Sequence, residues 1–533
     1  MAASASCATI STAQVYADVD ITELTPLLSG HALVFLPGSV YFNKTSTRWS
    51  VLEAPTPNIA IVPGTENDVA EIVCLPPSPL RNCMFPDLVL VHQVKFANKK
   101  NLPFLAYNHM HGSITTLGAM DHGIEIYLGQ LSGVTISEDG NTATILGGTN
   151  SKLITDTLWE AGKQTVTGTC ECVSYMGPAL GGGHGWLQGR HGLIADQWTS
   201  LNIVLANGTL KTGVSATKDA DLFWAVKGAG HNFGIVTSVT AKLYPLEHSN
   251  WAVENLYFSG DKVEQVYAAI NEHLLQGGEQ AVDIIQWSYW INVPALSPTV
   301  SPPHHPLFPP SVTTNMMQPF ILLHIIREGA SSIPSVLTEP FHAIGPFLIE
   351  PLAGTYRDLA TWAGIALDSP PCQKAGLANP RFPIYLETFN TTALKQTYDL
   401  FSAAVTAPDS PFANSLFMLE GYSTQGVKAV DAASSAFAYR EENLLLAPLI
   451  QYARTDAARD AEAKALGNQL RDLLQQGAGR PAGEAVRTYV NYAYGDETPR
   501  GWYGSEEWRQ QKLAALKRQF DPNGRFSFYA PVA

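Results

Sequence analysis

Between residues 30 and 245 the apolar positions come in short runs broken by Gly and Asn: NIAIVPG, LPFLAY, TATILGG, SLNIVLANGTL and GIVTSVTAKLYP. Runs of this kind, rich in β-branched and aromatic residues and bounded by turn formers, predict strands. In SLNIVLANGTL two apolar runs flank Asn207-Gly208, the dipeptide that most favours a tight hairpin turn. From about 246 to 480 the period changes. Apolar residues three and four apart in KVEQVYAAINEHLLQ and DAARDAEAKALGNQLRDLLQQ predict amphipathic helices, and with them a second domain. From Tyr489 onward the pattern predicts a strand, a Gly/Trp turn and a helix in SEEWRQQKLAALKRQF, stopped by Asp521-Pro522-Asn523-Gly524.

Two segments break this pattern. DVAEIV and KFANKKNLPFLAY would join into one helix-then-strand unit but for residues 74–94, which carry Pro76, Pro77, Pro79 and Pro86, and a helix interior does not tolerate them. Residues 293–319, again proline-rich, separate IIQWSYWIN from FILLHII. The expectation is that one or both are retained introns or late surface insertions; mature message reading straight through both would exclude the intron version.

At 533 residues the chain is too long for one core, and two or three domains are expected. The net charge of -14 and the lack of any Lys/Arg-rich run exclude a nucleic-acid or anionic-membrane surface, so a small-molecule ligand is the expected partner of a monomer. No apolar run reaches the length of a membrane span. The N-terminus has neither the basic nor the apolar region of a signal peptide, which predicts a cytoplasmic protein. Sequons at Asn43, Asn207 and Asn390 leave secretion as the alternative. Six scattered cysteines do not suggest a disulfide framework.

The densest chemical signal is TGTCECVSYMGPALGGGHGWLQGRHG, residues 167–192. Glycine clusters let a backbone turn at positive φ or approach a ligand closely. The cluster is no Rossmann loop, because CECVSYMGPAL is not a clean strand, and no P-loop, because no Gly-Lys-Ser/Thr follows. His109, His111, His122, Cys170 and Cys172 are zinc-ligand types, but neither paired C-x₂₋₄-C knuckles nor H-E-x-x-H occurs, and no metal is expected.

Long-range order narrows the choice. An apolar strand and NHMHG (108–112) are followed by GTCECVSYMGPALGGGHG (168–185), then DLFWAVKGAGHNFGIVTSVTAKLYP (221–245), then YVNYA, WYG and FDPNGRF (489–526). In this order the chain resembles the FAD-linked oxidases that share the vanillyl-alcohol-oxidase or PCMH-type flavin domain, within them the berberine-bridge-enzyme-like group, especially its fungal members. The resemblance covers nearly the whole chain apart from the two proline-rich segments. It implies an α+β fold: a PCMH-type FAD-binding domain of two subdomains (1–245), an antiparallel-sheet substrate domain with flanking helices (246–484), and a C-terminal segment (485–533) returning to the first domain.

The resemblance also implies site residues. His111, followed by Gly112 and Ser113, matches the histidine that bonds the flavin 8α-methyl; His109 and Met110 stand where relatives carry two glycines, and His109 is the alternative anchor. Cys170, eleven residues before Gly181, matches the cysteine that bonds flavin C6 in bicovalent members, which leaves Cys172 as a structural thiol. Val173 matches the residue that gates oxygen. Gly230, Gly234 and Val236 match flavin contacts, as does Asn491, and Tyr489 or Tyr492 matches the tyrosine base of carbohydrate-oxidising relatives.

The chemistry has its own requirements. A diphosphate in a low-dielectric cleft needs backbone N–H groups, which Gly181, Gly182, Gly183 and Gly185 expose without a Cβ in the way. A phenol of ordinary pKa is a poor base at neutral pH and needs a neighbouring charge or hydrogen bond. The implied activity is an FAD-dependent oxidase taking hydride from an alcohol-type or other C–H donor, a secondary metabolite or carbohydrate, with O₂ as the second substrate. A flavin-scaffolded redox-neutral cyclase and a non-functional mis-spliced product are the alternatives.

Overall fold

The computed structural model describes residues 21–73, 96–292, 318–481 and 483–532. The first proline-rich segment lies outside the described residues, as does all of the second but Gln318 and Pro319, so the intron expectation concerns residues outside those described.

The first sheet holds β1 (Leu33–Phe35), β2 (Thr56–Val62), β3 (Phe104–Tyr107) and β4 (Asp121–Tyr127) in the order β1-β2-β4-β3. β4 runs parallel to both β2 and β3. The helix Glu66–Val73 packs Val69, Ile72 and Val73 against Ile59, Ile61, Ile124 and Ile126 in one core. β3 therefore ends beside β4, and the chain leaves it into the loop 108–112.

The second sheet, antiparallel throughout, comprises β5 (Val134–Ile136), β6 (Thr142–Leu146), β8 (Trp198–Val204), β9 (Leu210–Ser215) and β10 (Ile235–Lys242), ordered β5-β6-β10-β8-β9; β7 (Lys163–Gln164) pairs with β11 (Tyr244–Pro245) beside it. The Asn207-Gly208 signal is realised as the β8–β9 hairpin, with Gly208 at φ 73°.

The third sheet has seven strands: β12 (Asn250–Phe258), β13 (Ile284–Ile291), β14 (Phe320–Glu328), β15 (Leu348–Thr355), β16 (Ile384–Leu386), β17 (Leu416–Gly421) and β18 (Leu444–Leu449), ordered β15-β12-β14-β13-β17-β18-β16. All neighbours are antiparallel. The helices Val263–Ala269, Thr391–Thr406 and Ala457–Gly477 cover one face, where Trp290, Leu323, Phe417 and Leu419 join their core. The other face turns Ile285, Trp287 and Tyr289 toward the first part of the chain. Covering both faces explains why IIQWSYWI is apolar at almost every position rather than alternating.

The tail corrects one expectation. YVNY forms no strand; Val490–Tyr492 is a single 3₁₀ turn. Its flanking backbone makes single contacts and joins no ladder: Tyr385 N–H on the edge strand β16 donates to Arg487 O at 2.9 Å, Thr488 N–H to Gly501 O at 3.0 Å and Thr115 N–H to Tyr494 O at 2.7 Å. The expected helix is present at Glu507–Phe520, and Asp521 stops it by accepting from Arg525 N–H and Phe526 N–H at 2.8 Å each. Val532 N–H then donates to Asn232 Oδ1 at 2.9 Å, docking the C-terminus on the turn before β10. Among the described residues no helix is long and apolar enough to cross a membrane.

Candidate active site

A cavity of about 1060 Å³ lies between the loops of the first two sheets and the face of the third that turns away from its helices. Its volume is at the upper end of ordinary ligand sites, enough for a dinucleotide with a substrate beside it. His111, Gly112, Cys170, Val173, Gly234, Val236, Tyr489, Asn491 and Tyr492 all line it. Ser113, Gly181, Gly182, Gly183, Gly185 and Gly230 do not, although they are close by in the chain.

The histidine sits on the loop that leaves β3. Met110 holds φ 60° there, the left-handed conformation that a glycine adopts freely, and its side chain is buried. Trp49 N–H donates to Met110 O at 3.1 Å and Arg48 to Gly112 O at 3.3 Å, which fixes the turn without a glycine at 110. A Cβ on Gly112 would lie 3.1 Å from the Tyr529 ring, tighter than an ordinary contact, so a larger residue there would have to push that ring aside. Burial, aided by the nearby charge of Arg381, lowers the His111 pKa to about 3. Its imidazole is therefore neutral at physiological pH, the form with a free ring-nitrogen lone pair. His109 also lines the cavity, and its Nε2 is buried with no hydrogen-bond partner among the described residues.

Three sulfurs gather beside His111. Cys172 is bonded to Cys372 with their Cα atoms 5.8 Å apart, which corrects the expectation of a free structural thiol and of no disulfide. Sequence could not foresee this, because 200 residues separate the two. They meet where the loop after the helix Leu359–Trp362 packs on residues 168–173, through Glu171 N–H to Ile365 O at 3.2 Å and Leu367 N–H to a Glu171 carboxylate oxygen at 3.0 Å. Cys170 is free, 3.5 and 3.6 Å from the sulfurs of Cys172 and Cys372, and Cys172 Sγ lies 3.4 Å from His111 Nε2. Burial pushes the Cys170 thiol up to about 11.

The glycine run has a packing role. A Cβ on Gly181 would lie 2.3 Å from Asn491 Oδ1, on Gly182 2.5 Å from the Phe437 ring, on Gly183 2.7 Å from Ile194 and on Gly185 2.1 Å from Thr167 O. Gly181 brings the chain after the short helix Met176–Leu180 against the C-terminal turn, and Asn491 Nδ2 donates to Pro178 O at 2.8 Å across that contact. His184 follows, donating from Nδ1 to Gln188 Oε1 and accepting at Nε2 from the Tyr385 hydroxyl, both at 2.8 Å. Gly230 and Gly234 likewise let the turn before β10 close on Leu180 and Ile203.

The two tyrosines differ. The Tyr489 hydroxyl accepts from His184 N–H at 3.3 Å. The Tyr492 hydroxyl donates to Glu420 Oε1 at 3.1 Å, and the Arg381 guanidinium lies 4.4 Å from the Tyr492 ring centroid and 4.7 Å from that of Trp49. Glu420, on β17 and 2 % exposed, also accepts from the Tyr422 hydroxyl at 3.0 Å. Burial raises its carboxyl to about 7 against the opposing pull of these two hydroxyls and Arg381. Glu420 and Arg381 were missed in the sequence. The only signal was a lone acid inside the apolar run LFMLEGY, which demands a buried partner.

Among known proteins, an FAD binding domain family model matches residues 90–213. The chain is 55 % identical over 516 residues to the FAD-linked oxidoreductase chyH of Penicillium rubens, covering 97 % of this chain and 94 % of that one. In structure it is similar to BBE-like 1 of Physcomitrella patens (TM-score 0.73, 17 % identity, 96 % and 98 % of the two chains). It is also similar to the glucooligosaccharide oxidase of Acremonium strictum, described with a 6-S-cysteinyl, 8α-N1-histidyl FAD (TM-score 0.72, 16 % identity, 94 % and 97 %). The fold is thus the PCMH-type FAD-binding arrangement with mixed helices and antiparallel sheets, and the chain belongs to the FAD-linked oxidoreductases.

Proposed function

We propose that the protein is an oxidase that holds FAD through His111 and Cys170 and removes hydride from a small molecule bound against the third sheet. The residues fit the group. A neutral, buried imidazole and a free thiol line one wall of a cavity that accommodates a dinucleotide, and the glucooligosaccharide oxidase carries its FAD on a histidine and a cysteine. The bound flavin supplies the hydride acceptor, with O₂ as the terminal oxidant yielding hydrogen peroxide. Val173, partly exposed on the cavity wall, is placed to govern how closely O₂ approaches.

The observation that carries the reading is the Tyr492–Glu420 hydrogen bond beneath Arg381. Burial, with the Glu420 charge, raises the Tyr492 hydroxyl well above its ordinary value, so a resting phenolate is not the base. Glu420, near 7, is the thermodynamic proton acceptor. As the Tyr492 oxygen takes the proton of a substrate hydroxyl, its own proton passes to the Glu420 carboxylate, and Arg381 over the ring offsets the negative charge that builds there. Tyr489, whose oxygen is engaged by His184 N–H, holds the glycine-rich loop.

The test is the absorbance of acid-precipitated protein. Flavin is expected in the pellet of wild type, and still in the pellet but with an altered spectrum after Cys170→Ala. A colourless wild-type pellet would refute covalent attachment. Anaerobic exposure to a panel of sugars and aromatic alcohols should bleach the flavin with at least one compound; no bleaching by any donor that binds would refute the oxidase reading.

A further inference from the structure

The third sheet carries a polar row on its cavity face, of which the proton relay uses only the Glu420 end. Antiparallel register places Glu350 opposite Asn255, Asn255 opposite His324, His324 opposite Trp287 and Trp287 opposite Glu420. Directly opposed residues share a face, and all five line the cavity. Above and below the row the same face carries Tyr289, Leu322, Leu352 and Met418. The row is thus a polar line across a largely apolar wall, with Glu420 at one end and Glu350 on the edge strand β15 at the other.

The hydrogen bonds along it have a direction. Asn255 Nδ2 donates to Glu350 Oε2 at 3.0 Å, and the Tyr257 hydroxyl donates to the same oxygen at 3.4 Å. A carboxylate only accepts, so the Asn255 amide nitrogen must face Glu350 and its carbonyl must face His324. Asn255 Oδ1 is 2.7 Å from His324 Nδ1, so Nδ1 carries the hydrogen. Burial lowers the His324 pKa to about 4, so the ring is neutral and has no second hydrogen to offer. Nε2 is then an acceptor, and it is buried without a partner among the described residues, in a side chain only 2 % exposed. A buried acceptor left unbonded is costly, and a ligand donor would satisfy it.

We infer that His324 Nε2 is a substrate-recognition acceptor, held in that tautomer by Asn255 and Glu350, and that it selects ligands presenting an O–H or N–H donor on an otherwise apolar or aromatic body. This deepens the oxidase reading and rests on it for the identity of the ligand as substrate. It assigns His324 a positioning role, separate from proton removal at Tyr492.

The experiment titrates flavin-loaded enzyme, anaerobically and by calorimetry, with phenol and with anisole, which share the ring and differ in the donor. Wild type is expected to bind phenol at least about tenfold more tightly, because anisole leaves Nε2 unbonded. His324→Phe keeps a planar ring and should bring the two affinities within about twofold. Glu350→Lys, at an edge-strand position where lysine is readily accommodated, replaces the acceptor at the end of the row by a donor. The Asn255 amide must then turn, its N–H₂ faces Nδ1, and the ring hydrogen moves to Nε2, so the preference for phenol should vanish or reverse. A protein that folds around His324 without using it would not respond to a charge change at the sheet edge. Equal affinity in wild type, or a preference for phenol that survives in either variant, overturns the inference. The visible spectrum of each sample reports the flavin separately: a protein without flavin would count against the oxidase reading while the two titrations still decide the role of His324.

Discussion

The two walls of the cavity are built by opposite means. The wall from the first two sheets is made of loops, and each functional group on it is placed by a close approach: Met110 in a left-handed turn, Gly112 against Tyr529, Gly181 against Asn491, and Cys170 against a disulfide. The wall from the third sheet is a register. Glu420, Trp287, His324, Asn255 and Glu350 come from five strands and meet because antiparallel pairing sets them opposite one another. A loop wall concentrates its chemistry in a few consecutive residues and tolerates little change of shape. A sheet wall disperses its chemistry along some 170 residues of sequence and can change side chains without changing its backbone.

The largest effect should come from breaking the hydrogen bond that joins the C-terminal turn to the sheet wall. Tyr492 sits on the C-terminal turn and Glu420 on the sheet, so Tyr492→Phe keeps the ring under Arg381 and removes the proton path. The expected loss in the rate of anaerobic flavin reduction is about 10²- to 10⁴-fold, with flavin content unchanged. A loss below about threefold would place proton removal elsewhere. Next in size is a test of rigidity. Gly182 holds φ 97° with the Phe437 ring 2.5 Å from a would-be Cβ, so Gly182→Ala should destabilise by about 2–4 kcal/mol in thermal or denaturant unfolding. Gly354, on the edge strand β15, has no positive φ, and the atoms nearest a would-be Cβ belong to the side chains of Asp358 and Trp362, so Gly354→Ala should lower stability by about 1 kcal/mol. Equal losses would erase the distinction between the walls.

The same contrast explains what could be read in the sequence. NHMHG, GTCECVSYMGPALGGGHG and YVNY are contiguous, and their order along the chain was enough to indicate the fold and to point to residues that line one cavity. The helical stretches 263–275 and 457–477 and the Asn207-Gly208 hairpin followed from local periodicity and turn chemistry. YVNY was misread as a strand because its apolar and aromatic spacing reflects burial against loops, and local pattern does not distinguish that from burial in a sheet. Glu420, Arg381 and His324 each stand as single polar residues in apolar surroundings, and only pairing across strands shows what they face. The Cys172–Cys372 bond was hidden for the same reason.

Glu420→Gln separates the sheet wall's chemistry from its structure. The substitution is isosteric; because Tyr422 and Tyr492 donate to different oxygens of Glu420, in the amide one hydroxyl still donates to an oxygen and the other turns to accept from the NH₂. What disappears is the titration. Burial disfavours the charged carboxylate and lifts Glu420 to about 7; below that pH it is already protonated and cannot take the proton passed on by Tyr492. Flavin reduction by a hydroxyl donor should therefore rise with pH through about 7 in wild type and level off above it. In Glu420→Gln the rate at pH 8 should fall about tenfold to a hundredfold, and the limb near 7 should vanish, leaving a flat profile over that range. The expected loss is smaller than for Tyr492→Phe, because Tyr492 can still pass a proton to water in the cavity. A variant that keeps the limb would show that another group titrates there, and the sheet wall would then hold the substrate without taking part in proton removal.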